Sequence, residues 1–415
     1  MTGPRAVVLV GGGQASAVAA RTLRRRGYDG AVVVVADEPH RPYQRPPLSK
    51  EYLTAGDSSA LELLPQAWCA DNAVEVRTGV RALKVSSADG CVVLDDGSSV
   101  RADAVLLATG ARARRRPGLG ADRADDDGVY YLRSRTDADR LRPRLAPGGR
   151  VVIIGGGFIG GEVACAALAR GSAVTVLEAG PVPLARAVGP RLGAACARLQ
   201  WAAGVDLRVD TAVQGVRRDG GRLLVVTSRG EVEADAVVAG VGAVPNTQLA
   251  ADSGIEVDGG VLVDDRCRTS QDRVFAAGDV ASQPSPGAGG RIRVEHFDNA
   301  SRQAAVAARN ILGEAVTYDE PHWFWSDQFG HNLQHIGHAA AGDRMVVRGS
   351  LDGDAWTAFF IGGSAGGDRM TAAFALDGGD DIAVARELIS MKVTLADDIL
   401  ADPGADLFAA IEELA

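Results

Sequence analysis

Two segments that each run from an apolar strand through a glycine cluster into a helix constrain the fold of this 415-residue chain more than any other feature. In the first, the apolar run Ala6–Val10 leads into glycines at positions 11–13 and a helix-forming run, and a second apolar run, Ala31–Ala36, ends at Asp37. This order of strand, glycine turn, helix and strand is typical of a parallel β–α–β unit. The segment therefore predicts a dinucleotide-binding fold.

The second segment repeats this order. An apolar run at residues 151–154 leads into a G-x-G-x-x-G pattern at Gly155, Gly157 and Gly160, and the strand after the helix ends at Glu178. The acidic residue follows the first glycine by 26 residues in the first segment and by 23 in the second, close to the spacing of about 20 in dinucleotide-binding folds. One such motif is weak evidence, but two copies framed in the same way predict two nucleotide sites.

Each position of the pattern has a physical reason. The first glycine permits a tight turn, the second lets the backbone approach a pyrophosphate, and the third lets the helix pack on the strand. The pyrophosphate then lies at a helix N-terminus, where free N–H groups attract an anion. The first copy departs from the pattern at Ser16, a residue small enough to pack there. In the second copy the carboxylate of Glu178 repels the extra phosphate of NADP, so we expect NADH to be preferred.

Charge and cysteine usage argue against several classes of function. A net charge of −9 makes nucleic acid an unfavourable partner. The five cysteines include no CxxC pair, which argues against a disulfide framework, a cysteine-ligated metal and a dithiol active centre. The sequence shows no signal peptide and no apolar stretch long enough to span a membrane. We therefore expect a cytoplasmic protein with no metal site and no membrane partner.

Three further apolar segments each end in a turn or a carboxylate. Residues 104–112 form a strand followed by an Ala-Thr-Gly turn, residues 236–246 have the same form, and residues 274–280 are an apolar strand that ends at Asp279. The first two are also compatible with ordinary core strands. A carboxylate that ends a buried strand needs a hydrogen-bonding partner, and the ribityl hydroxyls of a flavin would supply one.

Six short segments are distinctive in combination: PYQRPPLSK (42–50), GGGFIGGEVA (155–164), VFAAGDVA (274–281), RVEHFDNA (293–300), FWSDQF (324–329) and DDILADPGADL (397–407). With them the whole chain, from Val7 onward, resembles the FAD-dependent NAD(P)H:ferredoxin reductases of bacterial oxygenase systems. These form the putidaredoxin-reductase-like group of the glutathione-reductase-like fold. The resemblance implies an α/β protein with two Rossmann-like dinucleotide-binding domains, for FAD and NADH, and a C-terminal α+β interface domain.

The resemblance also implies the domain limits and the cofactor contacts. FAD is bound by residues 1–115 and 246–322, the NADH-binding domain at 116–245 is inserted between them, and the interface domain covers 323–415. Alternating apolar residues in RMVVRG (344–349) independently favour antiparallel strands in the last domain. The implied FAD contacts are Gly11, Gly13, Ala15, Asp37, Arg45, Pro46, Lys50, Ala108, Thr109, Gly110, Arg112, Gly278, Asp279 and Trp325. The implied NADH contacts are Gly155, Gly157, Phe158, Ile159, Gly160, Glu178 and Gly242.

Two residues carry most of the implied mechanism. By resemblance, Lys50 and Glu162 meet beside the flavin as the catalytic pair. A fixed cation near the flavin ring favours the anionic reduced form, and pairing with a lysine avoids an isolated buried carboxylate. The alternative is a surface lysine and an ordinary glutamate in the first turns of a helix. For Trp325 a contact with flavin and a role in the interface-domain core both stay open, and Phe297 replaces a tryptophan common in the family.

The implied reaction takes a hydride from NADH onto FAD and passes single electrons to a small iron–sulfur ferredoxin, which would feed a haem-thiolate monooxygenase or a ring-hydroxylating dioxygenase. Since the sequence has no cysteine cluster, we expect the iron–sulfur cluster on the partner. Candidate cations for docking an acidic ferredoxin are Arg302, Arg309, Arg112, Arg114, Arg115 and Arg116. Two alternatives stay open: a flavoprotein reductase of a small molecule such as a quinone, oxygen or a radical, and a redox-responsive flavin signalling protein.

Overall fold

The computed structural model describes residues 3–119, 128–285, 289–364 and 367–412. The chain clusters into two compact units, each assembled from three stretches of the sequence. Unit 1 consists of Met1–Gln44, Ser59–Arg112 and Val244–Phe324, and unit 2 of Arg45–Ser58, Ala113–Ala243 and Trp325–Ala415. Within the described ranges, every helix is too short or too polar to cross a lipid bilayer.

The strands and helices are numbered in chain order. The strands are β1 (Ala6–Val10), β2 (Ala31–Ala36), β3 (Val74–Thr78), β4 (Ala82–Ser86), β5 (Cys91–Leu94), β6 (Ser99–Arg101), β7 (Ala104–Leu107), β8 (Ala111–Ala113), β9 (Val129–Tyr130), β10 (Arg150–Ile154), β11 (Ala173–Leu177), β12 (Asp206–Arg208), β13 (Val213–Asp219), β14 (Arg222–Thr227), β15 (Gly230–Ala234), β16 (Ala236–Ala239), β17 (Ala243–Pro245), β18 (Val261–Leu262), β19 (Val274–Ala276), β20 (Ala281–Ser285), β21 (Gly290–Ile292), β22 (Trp323–Gln328), β23 (His331–Gly337), β24 (Arg344–Gly349), β25 (Trp356–Ser364) and β26 (Gly367–Leu376). The α-helices are α1 (Gln14–Arg25), α2 (Glu51–Ala55), α3 (Gln66–Asp71), α4 (Arg135–Leu141), α5 (Phe158–Ala169), α6 (Ala185–Ala202), α7 (Gln248–Asp252), α8 (Phe297–Ile311), α9 (Gly379–Met391), α10 (Asp397–Ala401) and α11 (Leu407–Glu412). The 3-10 helices are η1 (Pro46–Ser49) and η2 (Arg142–Arg144).

Unit 1 is built on a parallel sheet of order β19-β7-β1-β2-β3. Successive side chains of a strand point to opposite faces. In β1, Val7 and Leu9 therefore pack with residues of α1 and α8, whereas Val8 and Val10 pack with residues of β4, β5 and β6. Because both faces of the sheet are covered, β1 is buried and apolar along its whole length.

Unit 2 contains a second parallel sheet, of order β12-β11-β10-β16-β9, whose central strand β10 leads into α5. An antiparallel three-stranded sheet, β13-β14-β15, contributes to the same core. Apart from the first two residues of β22, unit 2 also holds a sheet of order β22-β23-β26-β25-β24 with antiparallel pairs, on which α9 packs. The predicted class is confirmed: two Rossmann-like parallel sheets and a C-terminal α+β part.

Residues 45–58 cluster with unit 2, although they fall inside the first predicted FAD-binding stretch. Hydrogen bonds over long sequence separations tie the segment there. The Tyr52 hydroxyl donates to Asp139 Oδ1 at 2.5 Å, and Arg170 Nη1 donates to Thr54 O at 2.7 Å. The segment therefore packs with the helices of unit 2, while the division of the chain into four stretches stays a prediction.

Candidate functional site

The first glycine turn, in unit 1, leaves the N-terminus of α1 uncapped. Gly11 has a φ of +138°, and a Cβ built there would lie 2.0 Å from Ala108 O, so the turn admits glycine alone. Gly13 is the N-cap of α1, which accepts no capping side chain, and a Cβ at Gly13 would meet nothing within 4 Å. The first N–H groups of α1 are thus available to an anion that approaches a bare backbone.

Two buried polar atoms beside this turn have no hydrogen-bond partner among the described residues, namely Ser16 Oγ and Gln14 Oε1. Ser16, at the third position of the glycine pattern, is buried. Leaving buried polar atoms unpaired costs free energy. The Ser16 hydroxyl can donate to a phosphate oxygen, whereas Gln14 Oε1 only accepts and would need a donor such as a ribose hydroxyl. The first turn of α1 therefore fits the phosphates of a dinucleotide.

Several of the predicted FAD contacts lie around this turn. Gly278 packs against the start of α1, because a Cβ built on it would lie 3.5 Å from the Cβ of Ala15. Asp279 follows and is half-buried. The turn after β7 is held by Asn246. Its side-chain Nδ2 donates to the backbone oxygen of Thr109, and its backbone oxygen accepts from Thr109 Oγ1, both at 2.8 Å. Unit 1 thus brings together Gly11, Gly13, Ala15, Ala108 and Gly278.

The remaining predicted FAD contacts are divided between the two units. In unit 1, Asp37 is exposed after β2, Gly110 has a φ of +63°, and the Arg112 guanidinium donates to an asparagine side chain at 3.0 Å. In unit 2, Arg45 donates to a backbone carbonyl at 2.8 Å, and Pro46 begins η1. Their contacts with FAD stay predictions.

A buried amide network, which the sequence motifs did not indicate, holds the Gly278 turn from behind. Gln303, only 1% exposed, accepts a hydrogen bond from Gly278 N at 2.8 Å. Its Nε2 donates to Gln283 Oε1, and Asn299 donates to Gln303 Oε1 at 3.4 Å. One residue of the network, Asn299, lies within the distinctive RVEHFDNA segment and could have indicated a polar role there. Each buried amide is paired, so the network fixes the backbone that leads to Asp279.

The second glycine turn, in unit 2, repeats the geometry of the first. A Cβ at Gly155 would lie 2.4 Å from Gly240 O, and one at Gly160 would lie 2.1 Å from Gly155 O. At Gly157, the N-cap of α5, a Cβ would meet nothing within 4 Å, and no side chain caps this helix. The turn therefore has the bare backbone and the uncapped helix that a second dinucleotide requires.

The other predicted NADH contacts lie on segments next to this turn. Glu178 is oriented by the backbone, since each of its carboxylate oxygens accepts an N–H at 2.8 Å. Gly242 has a φ of +99°. At the start of α5, Phe158 is half-buried and Ile159 is 45% exposed. The fixed negative charge of Glu178 is unfavourable for a nucleotide with an additional phosphate.

Early in α5, Glu162 is 6% exposed, and its carboxylate lies between two serines. Ser49 donates to its Oε2 at 2.5 Å, and Ser326 donates to its Oε1 at 2.6 Å. Lys50 Nζ lies 3.6 Å from Glu162 Oε1. The structure thus places Lys50 and Glu162 in contact, as the resemblance implied, while their catalytic role stays a prediction.

Lys50 has a second carboxylate partner that the sequence reasoning missed. Asp327 Oδ2 accepts a hydrogen bond from Lys50 Nζ at 2.6 Å, and its Oδ1 accepts from Asn332 Nδ2 at 2.6 Å. The ammonium also lies 5.5 Å from the ring centroid of Trp325, within cation–π range. The distinctive segment FWSDQF therefore supplies Trp325, Ser326 and Asp327 together, and that segment was the available signal.

The two carboxyl groups have opposite tendencies to ionise. Burial raises the pKa of Glu162, against the opposing effects of Lys50 and the two serine hydroxyls. Burial also opposes ionisation of Asp327. Hydrogen bonds from Lys50, Asn332 and Trp325 and the charge of Lys50 together outweigh it, so the pKa of Asp327 lies below its ordinary value. Burial raises the pKa of the nearby Cys165 thiol to about 11. The cluster can therefore keep a fixed cation and bind or release a proton at Glu162.

Two of the candidate docking cations already form ion pairs within the chain. Arg302 pairs with Asp298 at 2.7 Å, and Arg309 pairs with Glu314 at 2.7 Å. An acidic partner would have to compete with these carboxylates. Arg302 and Arg309 are therefore weaker candidates for docking an acidic ferredoxin than arginines without an ion-pair partner would be.

Two family models together match most of the chain. The pyridine nucleotide-disulphide oxidoreductase model matches residues 5–304, and the reductase C-terminal model matches residues 323–411. Rhodocoxin reductase of Rhodococcus erythropolis is 38% identical over 98% of this chain and 94% of its own length. The ferredoxin–NAD(+) reductase component of the anthranilate 1,2-dioxygenase system of Burkholderia cepacia is 39% identical over 95% of this chain and 97% of its own. The crystal structure of the covalent putidaredoxin reductase–putidaredoxin complex superposes with a TM-score of 0.92 at 32% identity, covering 99% of this chain and 98% of that one.

Proposed function

Because the chain belongs to the pyridine nucleotide-disulphide oxidoreductase family, we propose that it takes a hydride from NADH onto FAD and delivers single electrons to a small iron–sulfur ferredoxin. Its cofactors are FAD and NAD(H). Relatives named as ferredoxin–NAD(+) reductase components support this acceptor. The solved reductase that is covalently joined to putidaredoxin supports a protein partner of the same kind.

The observation that carries the proposal furthest is the position of Glu162. The helix α5, whose N-terminus forms the second glycine turn, also brings this buried carboxylate to Lys50. A buried ion pair adds little to stability, because desolvation of both charges offsets their attraction. The presence of this ion pair on a nucleotide-binding helix therefore favours a role in the reaction over a role in stabilising the fold.

The residues present fit both cofactors. We assign the FAD phosphates to the bare backbone at Gly11 and Gly13, and the ribityl hydroxyls to Asp279, which the amide network behind Gly278 holds in place. The NADH pyrophosphate is assigned to Gly155 and Gly157. When bound, FAD accepts two electrons with the hydride and can release them one at a time.

The chain's own groups hold charge and protons for this reaction. We assign to Lys50 the fixed positive charge that favours a reduced, anionic flavin. Lys50 lies beside Glu162, so the buried carboxylate is not isolated when it is ionised, and Glu162 can hold a proton. Trp325 limits the movement of the ammonium through its cation–π contact. None of these roles requires a cysteine, in keeping with the absence of a CxxC pair from the sequence.

The ferredoxin that we propose as acceptor would feed a haem-thiolate monooxygenase or a ring-hydroxylating dioxygenase. The names of relatives that serve anthranilate, p-cumate and benzene dioxygenase systems support the second class. We place the reaction in the cytoplasm, where NADH is supplied.

The proposal is tested with the purified FAD-loaded protein, NADH and a panel of small ferredoxins from the same organism, with cytochrome c as the final reporter. We expect NADH-dependent reduction of cytochrome c that requires one of the ferredoxins. Rapid reduction of a quinone, with every ferredoxin inert, would instead establish a small-molecule reductase.

The role of Lys50 has its own test. Lys50→Met should slow reduction of the bound flavin by NADH by roughly 100-fold, the usual effect of removing one fixed group that stabilises developing charge. The absorbance of the bound flavin should not change. Lys84→Met, which removes an exposed lysine of β4, is the matched control. Equal stopped-flow rates for the two variants would refute the assignment.

A further inference from the structure

Lys50 is shared unequally between two carboxylates that are anchored in different ways. The Lys50 ammonium lies 2.6 Å from Asp327 but 3.6 Å from Glu162. Asp327 is held on its other oxygen by Asn332 at 2.6 Å. Glu162 is held by serine hydroxyls on both oxygens and has no closer cation among the described residues. The shorter contact of Lys50 is therefore with Asp327, a carboxylate to which the proposed reaction assigns no role.

The orientation of Ser326 is also fixed by its surroundings. Gln328 Nε2 donates to Ser326 Oγ at 2.9 Å, while the hydroxyl donates to Glu162 Oε1 at 2.6 Å. The amide uses one of the two lone pairs of the hydroxyl, and the single hydroxyl proton is donated to Glu162. A hydroxyl fixed in this way stabilises the carboxylate form of its acceptor.

We propose that Asp327 and Ser326, neighbours on β22, are positioning residues that set the protonation of Glu162 in opposite directions. This inference rests on the proposed function only for the use to which the proton at Glu162 is put. Asp327 withdraws the Lys50 ammonium and adds a negative charge, and both effects favour protonated Glu162. Ser326, with Ser49 from η1, donates hydrogen bonds and favours the carboxylate.

The charged and titratable groups that act on Glu162 come from three elements. Lys50 follows η1, Asp327 lies on β22, and Cys165 lies one turn further along α5. Cys165 stays neutral because burial raises the pKa of its thiol to about 11. Lys50 and Asp327 are therefore the two charges that set the balance at Glu162, together with burial of the carboxyl and its two serine donors.

The two substitutions should move Glu162 in opposite senses. Asp327→Asn keeps the shape of the side chain, removes its charge and leaves Lys50 to Glu162, so Glu162 should ionise at lower pH. Ser326→Ala removes one donor, so Glu162 should ionise at higher pH. A neighbouring charge or a direct hydrogen bond commonly shifts a carboxyl titration by about one pH unit or more, and we expect a displacement of that size in each direction.

The experiment is an infrared pH titration of the oxidised FAD-loaded protein without NADH. The carboxyl band of Glu162 is assigned by its disappearance in Glu162→Gln. The pH dependence of flavin reduction by NADH is then followed by stopped flow and should shift in the same direction as the infrared midpoint. Asp368→Asn is the matched control, because Asp368 is a carboxylate of β26 paired with Arg344, also at 2.6 Å. It should leave the midpoint unchanged.

Further variants separate positioning from damage to the fold. Ser49→Ala, on a different element, should shift the midpoint in the same direction as Ser326→Ala, and Ser326→Thr should restore it because the donor is retained. If Asp327→Asn and Ser326→Ala shift the midpoint in the same direction, or if neither moves it, the inference is overturned. Because this titration uses neither NADH nor a ferredoxin, failure of ferredoxin reduction would refute the proposed function and leave the infrared result standing.

Discussion

Substitution of two glycines in one turn should separate nucleotide binding from folding. Gly157 has φ −79° and ψ −176°, which alanine adopts readily, and a Cβ there would meet nothing within 4 Å. Gly157→Ala should therefore fold normally and gain up to about 1 kcal/mol from the stiffer unfolded chain. Gly160 differs, because its Cβ would lie 2.1 Å from the backbone oxygen of Gly155.

The binding cost of Gly157→Ala follows from the chemistry of the helix N-terminus. A methyl group at this position keeps a pyrophosphate from the bare backbone. Loss of one hydrogen bond to a charged acceptor costs about 1.5–3 kcal/mol, which raises Kd roughly 10- to 100-fold. Gly160→Ala should weaken NADH binding as well, but with a loss of stability of about 1–3 kcal/mol or more, because backbone atoms must move.

Both variants are measured by thermal unfolding and by anaerobic stopped-flow reduction of the bound flavin over a series of NADH concentrations. We expect Gly157→Ala to have a Tm at or slightly above that of the wild type and to need far more NADH to reach half of the limiting rate. Wild-type NADH dependence in Gly157→Ala would refute the assignment of this turn to NADH. A drop in Tm equal to that of Gly160→Ala would refute the claim that the position is open.

Two further predictions concern unit 1. Burial lowers the pKa of His296 to about 4, so below about pH 6.5 the unfolded chain binds a proton that the folded protein binds only near pH 4. The free energy of unfolding should therefore fall by up to about 1.4 kcal/mol per pH unit as the pH drops from 6.5 to 4. His296→Gln should flatten this dependence in urea unfolding, whereas a slope identical to that of the wild type would contradict the prediction. Gln303→Leu leaves the buried Gly278 N–H without its acceptor, so it should destabilise the protein by about 1–3 kcal/mol and release FAD on gel filtration. The control Gln66→Leu, on the exposed face of α3, should have neither effect. Full retention of FAD by Gln303→Leu would show that the amide network does not support the site.

The two nucleotide-binding folds could be predicted because their determinants are local. The need for glycine at Gly11 and Gly155 arises from a turn against the neighbouring strand end, and the helix begins within three residues of it. The apolar pattern of the strands on either side of each turn follows from burial of the sheet on both faces. The succession of strand, glycine turn, helix and strand could therefore be predicted from the local sequence in both segments.

The polar cluster could be predicted only in part, because its contacts join distant parts of the chain. Lys50 and Asp327 are separated by 277 residues, and Ser326 and Glu162 by 164. No sequence periodicity or spacing rule predicts a contact between residues that are so far apart in the chain. The resemblance supplied Lys50 and Glu162, whereas Asp327 and both serines emerged only from the packing of β22 and η1 against α5. The attachment of residues 45–58 to unit 2 escaped prediction for the same reason.

The proposed electron path of this protein begins at a nicotinamide and leads to a flavin. Anaerobic titration of the purified protein with NADH, followed by visible absorbance, tests it most directly. We expect a yellow protein that one equivalent of NADH per flavin bleaches and that two equivalents of an oxidised one-electron ferredoxin then restore to yellow. A colourless protein that cannot be reconstituted with FAD, or a bound flavin that excess NADH leaves oxidised, would contradict it.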